Sequence, residues 1–186
     1  VDAANDGDMI NVMPGTYREN VTVGTKALFI RGEWEHGVPP VIDAGGNVGI
    51  TIPYISHTTQ QHDIGIEGFK ITNASTGIKT GSPMSISNTL FSNAATAVEV
   101  TIDSASMTSA MQSNPFINNI VKVNAWQCTF IGESSGDIAV KTTHRGTASI
   151  PGIDSTDIRY VSYYLINPVI LLSSEVFIGN SILSYS

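Results

Sequence analysis

Acidic and basic side chains that could act on a ligand are few in this chain, and they are scattered along it. Glu67 has Asp63 close before it, Asp103 falls in a loop-like stretch, and Lys122 and Arg159 are candidate bases. A glycosidase needs two carboxylates that face one bond, and a calcium-assisted lyase needs several oxygen ligands beside a base. The sequence does not complete either set. We therefore assign no catalytic residue and expect no cofactor, since no ligand cluster supports calcium.

Residues suited to metal or nucleophilic chemistry are also sparse. His57 and His62, with Asp63 adjacent, are of the types that bind transition metals, but the residues between them carry no signal for an ordered loop. Cys128 is the single cysteine, which excludes an internal disulfide. Its place in an alternating strand pattern favours burial. The chain has no Gly-rich phosphate loop, nucleophile elbow or paired-Cys motif, and we expect no metal site.

Composition limits the partners and predicts the class of fold. The 186 residues include 9 basic and 16 acidic side chains, a net charge of −7, which argues against a nucleic-acid partner because phosphates are held by clustered cations. Apolar runs such as residues 169–172 are far shorter than the roughly 18 residues of a membrane span. The 23 Ile and 15 Val against 6 Leu predict an all-β protein.

An internal repeat organises the chain. Residues 64–73 align with residues 84–93, with apolar residues at positions 1, 3 and 8 and Gly or Asn at position 5. The alternation predicts a strand with one buried face, and Gly or Asn supplies a corner. Further copies begin at Leu28, Val121, Ile158 and Val176.

A second strand follows each of several first strands. Gly77 begins one 13 residues after Ile64, and Ala97 begins another 13 residues after Met84. Asp137 and Gly49 begin the same element after longer gaps. The surplus residues fall mainly at one corner, in 53–62, 103–119 and 142–157, which predicts loop insertions on one side of a stack of repeats.

The opening of the chain carries a family resemblance. Residues 2–23 contain Gly7-Asp8, Ile10, Val12, Pro14-Gly15, Tyr17, Glu19 and Val21. This pattern resembles the first coil of right-handed parallel β-helix proteins of the pectate-lyase-like superfamily, including surface-layer and NosD-like repeat proteins. Residues 28–32 and 41–46 are also similar to members. The resemblance implies a single-stranded right-handed parallel β-helix with insertions at one corner, which we expect to form one domain over 1–186.

The outward positions of the first strands form a polar strip in this fold. In enzymes that the fold resembles, a sugar polymer lies along such a strip, so it is a candidate carbohydrate groove. The motifs by which pectinesterases of this family are recognised find no match after the opening coil. The candidate ligand-binding residues are Arg31, Glu67, Lys122, Asn124 and Arg159 on the strip, with Asp63, His144 and Arg145 in the corner insertions.

Three functions fit these observations. The preferred one is an extracellular or cell-envelope module that binds polysaccharide or serves a structural role. The alternative is a lyase or hydrolase acting on an acidic polysaccharide, with Lys122 or Arg159 as base and Glu67 as acid or ligand. A third is a periplasmic metal-handling module, in which Met107 and Met111 would bind copper as the NosD-like resemblance implies.

The solvent-facing composition and the chain ends suggest where the protein works. Ser, Thr, Asn and Gly are plentiful and only 13% of residues are charged, so we expect a secreted, cell-surface or periplasmic protein. The last repeat stops without a capping segment, which predicts a longer parent chain or a homodimer through that end. Asn20 and Asn73 lie in sequons that would accept N-glycans in a suitable source.

Overall fold

The computed structural model describes residues 1–55, 64–103, 120–132, 137–145, 173–179 and 182–185. Within these ranges the chain forms strands and no helix, so no helix there is long and apolar enough to cross a membrane. The strands are β1 (Met9–Val12), β2 (Thr16–Tyr17), β3 (Val21–Thr22), β4 (Phe29–Gly32), β5 (Val41–Asp43), β6 (Val48–Ile52), β7 (Gly65–Glu67), β8 (Lys70–Thr80), β9 (Met84–Ser87), β10 (Leu90–Asp103), β11 (Ile120–Trp126), β12 (Thr129–Gly132), β13 (Ile138–Arg145), β14 (Ser173–Gly179) and β15 (Ile182–Tyr185).

Two parallel sheets contain these strands. The first sheet has the order β1-β4-β7-β9-β11-β14, and the second has the path β2-β5-β8-β10-β12-β15, with β6 between β3 and β8 and with β13 beside β10. Along the chain, each repeat contributes a strand to the first sheet and then a strand to the second. A strand therefore pairs in parallel with its counterpart in the neighbouring repeat. The all-β prediction is confirmed, and the strand order is compatible with a solenoid.

Equivalent apolar residues of successive repeats lie opposite one another and form the core. The repeat of residues 64–73 on residues 84–93 is confirmed, because the register joins these segments residue for residue in both sheets. The first sheet contributes a column of Ile10, Ile30, Ile66 and Ile86. The second sheet contributes a column of Ile42, Ile71, Phe91 and Phe130.

The corners between strands use left-handed backbone, as the template predicts. Gly68, Asn88 and Gln127 have φ values of 79°, 48° and 54° at the corner after the first sheet. Asn73 and Asn93, with φ of 52° and 49°, bend β8 and β10 in the middle. Gly and Asn populate this region more readily than other residues, and they let the chain change direction at the same place in each repeat.

The fourth repeat is displaced by two residues from the predicted alignment. The sequence template begins this repeat at Val121, but Val123 lies opposite Met84. A shift of two leaves the alternation of the strand unchanged, because the side-chain period of a strand is two, and Val123 is buried. The corrected alignment puts Gln127 at the corner position, which explains why a residue that is neither Gly nor Asn has positive φ there.

Two further sequence predictions are wrong in the second half of the described chain. The predicted stacking order is wrong after β11, because β14 pairs directly with β11; the copy expected to begin at Ile158 lies outside the described residues. Residues 142–145, which were expected in an insertion, belong to β13, whose pairing with β10 continues to Arg145.

Candidate functional site

Three polar side chains from successive repeats are linked on the outward side of the first sheet. Arg31 and Glu67 lie opposite each other in register, with Arg31 Nε 4.0 Å from Glu67 Oε2. Asn88, in the next repeat, donates a hydrogen bond from Nδ2 to Glu67 Oε1 at 3.3 Å. We call Arg31, Glu67 and Asn88 the polar row. It places a guanidinium, a carboxylate and an amide side by side.

Strand alternation and corner geometry bring the polar row together. Arg31 and Glu67 follow the buried Ile30 and Ile66 in their strands, so their side chains point to the opposite face. Asn88 occupies the corner after β9 with positive φ. The Arg31 and Glu67 side chains are 49% and 27% exposed, and an ion pair so exposed adds little stability. The row therefore orients solvent-facing groups that a ligand can reach.

Trp34 adjoins the polar row and was not among the sequence-predicted site residues. Its indole Nε1 donates to the carbonyl oxygen of Gly68 at 2.9 Å, and Gly68 directly follows Glu67. The side chain nevertheless stays 54% exposed. The signal in the sequence was the excursion after β4 that carries Trp34 and the Pro39-Pro40 pair, but sequence alone does not show that this excursion folds back onto the next repeat.

A second aromatic ring lies on the same outward face. Phe29 is opposite Gly65 in register, and a Cβ at Gly65 would collide with the Phe29 ring. The ring therefore covers the backbone of β7 next to Glu67. This surface combines an aromatic ring with the polar row.

Of the predicted ligand-binding residues, Arg31 and Glu67 contact each other, and Asp63 and Arg159 lie outside the described residues. The structure brings Arg31 and Glu67 together as the template predicts. Asp63 and Arg159 lie outside the described residues, as do the other candidates His57, His62, Met107 and Met111.

Lys122 and Asn124 are shifted along the strip relative to the prediction. Asn124 lies opposite Ser85, so it continues the column of Phe29 and Gly65 instead of the column of Glu67. Lys122 lies two residues earlier, at the level of Glu175 of β14. The prediction that these residues bind a ligand stays a prediction, but their backbone positions differ from those that the template gave.

His144 and Arg145 lie in a strand of the second sheet and not in an insertion beside the strip. Their partners in register are Ile102 and Asp103 of β10, so Asp103 also belongs to a strand. The backbone pairing of β13 with β10 continues to Arg145, past the point at which the sequence template ends. His144 and Arg145 therefore belong to the second sheet, whereas the strands that carry the polar row belong to the first sheet.

The second sheet carries an ion pair of the same kind in a more enclosed place. Lys79 Nζ lies 3.2 Å from Glu99 Oε1, with side chains 26% and 13% exposed. Lys141 follows opposite Glu99 in register. The sequence template did not single out these residues, because their pairing depends on the register of two neighbouring repeats.

Both sequon asparagines, Asn20 and Asn73, donate hydrogen bonds at the corner formed by Asp43 and Ala44. The Asp43 carboxylate accepts from Asn73 Nδ2 at 2.9 Å and from Gly45 N at 3.2 Å, and Arg18 Nε lies 3.8 Å away. These contacts, with the Asn73 amide foremost, hold the pKa of Asp43 below its ordinary value of 3.8. Asn20 Nδ2 donates to two backbone carbonyls. Both sequon amides thus hold turn groups by hydrogen bonds.

Metal-ligating groups and similarity to known proteins add no assignment. Among the residues that the structure describes, no three His, Cys, Asp or Glu side chains are grouped so that they could hold a metal ion. Cys128 is buried, as predicted, and its Sγ lies 3.7 Å from the Ile86 carbonyl oxygen.

Comparisons with protein-family models, curated proteins and solved structures gave no match to this chain.

Proposed function

We propose that this chain is a right-handed parallel β-helix of a secreted or cell-envelope protein and that it binds polysaccharide along the outward face of its first sheet. The fold proposal is supported by strands that alternate between two parallel sheets. It is also supported by the register, in which equivalent positions of neighbouring repeats lie opposite one another. A right hand is the rule for crossovers between parallel strands, and the opening pattern resembles that family. A polar surface of mainly uncharged residues supports the location.

The polar row is the observation that carries the binding proposal. Arg31, Glu67 and Asn88 offer donors and acceptors from three successive repeats, and neighbouring strands are about 4.8 Å apart, close to the length of one sugar residue. A polymer lying along the stack can therefore meet a new protein group with each residue. Sugar hydroxyls are both donors and acceptors, so they suit a mixed row of this kind.

Affinity electrophoresis in gels that contain neutral or acidic polysaccharides tests the proposal. The wild-type chain should be retarded by at least one polymer without degrading it. The double variant Arg31→Gln, Glu67→Gln should bind about tenfold more weakly, because it removes both charged groups of the row. The matched control is Lys79→Gln, Glu99→Gln, which removes the corresponding ion pair from the second sheet and should leave binding unchanged.

Other outcomes of the same experiment contradict the proposal. Equal binding by wild type and by the Arg31, Glu67 double variant would exclude the polar row as the site. Unsaturated products that absorb in the ultraviolet, released from an acidic polysaccharide, would replace the binding role by lyase activity. Failure to bind any polymer would leave a structural role as the better description.

A further inference from the structure

We infer that Trp34 is a stacking platform for the ligand and that the ligand is a neutral, equatorially linked pyranose polymer, an inference that rests on the proposed function. Such a polymer presents an apolar C–H face between rims of hydroxyl groups. Trp34 would pack against the C–H face, while Glu67 and Asn88 would bind the hydroxyls at its rim.

The fixed orientation of Trp34 is the first support. Its Nε1 hydrogen bond to Gly68 O at 2.9 Å restrains the ring before any ligand arrives, while 54% of the side chain stays in solvent. Preorganised side chains lose less entropy on binding, and a large aromatic surface is a typical anchor. Gly68 maintains the contact, because its φ of 79° is strained for other residues and a Cβ there would approach the indole nitrogen to 3.0 Å.

The position of Trp34 beside the polar row is the second support. Gly68, which accepts the indole hydrogen bond, is the residue after Glu67, and its own backbone N donates to Ser87 O at 3.0 Å. Ser87 immediately precedes Asn88. The ring, the carboxylate and the amide are thus tied to one another through a short stretch of backbone at one corner.

Charge decides in favour of a neutral polymer. Arg31 is the only cation of the polar row, and Glu67 already lies 4.0 Å from it, so the row has no net charge to offer an acidic sugar. The whole chain carries a net charge of −7, which repels polyanions at long range. A uronate polymer would therefore lose electrostatic free energy on approach, whereas a neutral polymer would not.

The test compares neutral hydroxyethyl cellulose and glucomannan with acidic polygalacturonate and alginate in affinity gels. The intact chain should be retarded by a neutral polymer, with little change between about 50 and 500 mM NaCl. Trp34→Ala should weaken binding about tenfold or more, and Trp34→Phe should fall between it and wild type because a ring remains. Val38→Ala, which shortens a side chain that is 56% exposed in the same excursion, should bind like wild type.

A fluorescence measurement gives a readout that does not depend on losing the residue. The chain has two tryptophans, so in Trp126→Phe the remaining emission reports on Trp34. Saturating neutral polymer should shift that emission and protect it from acrylamide quenching.

The outcomes separate this inference from the proposed function. Binding that is lost in the Arg31→Gln, Glu67→Gln variant but equal in Trp34→Ala and Val38→Ala, or that occurs only with acidic polymers, would overturn the inference and leave the proposed function standing. An unchanged Trp34 emission at saturating polymer would overturn it as well. Failure of the wild-type chain to bind any of the four polymers would overturn both.

Discussion

Ser82 joins two neighbouring repeats through a fully buried hydroxyl. Its Oγ donates to Pro53 O and accepts from Ile55 N, each at 2.8 Å. Thr80 Oγ1 in turn donates to Ser82 O at 2.8 Å. Ser82 N also donates to Thr80 Oγ1 at 3.1 Å, and these bonds hold the chain where it leaves β6.

Ser82→Ala should lower the free energy of unfolding by about 1–3 kcal/mol, because it leaves the buried N–H of Ile55 without its partner and removes the donor to the half-buried Pro53 carbonyl. Urea denaturation followed by circular dichroism measures the change. Ser85→Ala is the control: Ser85 is partly exposed, its hydroxyl lies at a long 3.5 Å from Ile64 O, and its loss should cost less than about 0.5 kcal/mol. A loss in Ser82→Ala no larger than that in Ser85→Ala would contradict the stabilising role of the Ser82 contacts.

Asp43 makes stability depend on acidity. Hydrogen bonds from Asn73 and Gly45, with the charge of Arg18, lower the pKa of Asp43 below 3.8 in the folded chain. Because the folded-state pKa is the lower one, the stabilisation is fully present above the unfolded-state pKa. It is lost as the pH falls through the folded-state pKa.

Asp43→Asn should therefore reduce the acid-induced loss of stability below about pH 4 relative to wild type. Asn73→Gly, which removes the amide but keeps a residue that accepts positive φ, should move the loss to higher pH. Urea midpoints measured across the acidic range test both. Parallel pH profiles for wild type and Asp43→Asn would contradict this origin of the acid sensitivity.

The pairing of β9 with β11 shows that the alternation of a strand does not determine its register against the neighbouring strand. Alternation in β11 is satisfied by two registers that differ by two residues, and the observed one places Asn124 opposite Ser85. In the alternative, Lys122 would take that place. The two registers differ by one side-chain period, so the alternation of the strand does not choose between them.

Oxidative cross-linking distinguishes the registers. In a Cys128→Ser background, the pair Ser85→Cys, Asn124→Cys should form a disulfide readily, because paired positions on neighbouring strands meet the Cα separation that a disulfide needs. The pair Ser85→Cys, Lys122→Cys is the matched control and should cross-link poorly. Mass spectrometry of peptides after mild oxidation gives the yields, and a higher yield for the Lys122 pair would contradict the observed register.

The parallel stack as a whole predicts a gradient of stability. In a repeat architecture each unit contacts its neighbours alone, and within the described chain β8 and β10 have partner strands on both sides, whereas β1 and β2 have one on a single side. Opening of an end unit breaks one interface, while opening of a middle unit breaks two.

Amide hydrogen exchange should follow this order. Peptides that cover residues 70–80 and 90–100 should be protected longer than peptides that cover residues 9–17, after correction for intrinsic rates. Exchange measured by mass spectrometry under native conditions tests it. Uniform protection across these peptides would mean that the chain opens as one cooperative unit.

The sequence by itself determined the all-β class, the buried column positions and the corners. These depend on local rules: alternation selects the buried face of Ile66 and Ile86, and Gly and Asn tolerate the left-handed backbone at the corner positions of Gly68 and Asn88. The Arg31 and Glu67 pair also followed from the template, which put both residues at position 4 of neighbouring repeats.

Tertiary structure alone decided the register of the fourth repeat, the direct pairing of β11 with β14 and the place of Trp34. Alternation repeats every two residues, so it cannot distinguish a shift of two, and only packing against the repeat on either side can. Trp34 reaches Gly68 across 34 positions of the chain, a contact that exists only once the excursion has folded onto the next repeat. Local patterns fix which way a side chain points, whereas its neighbours are fixed by how the repeats stack.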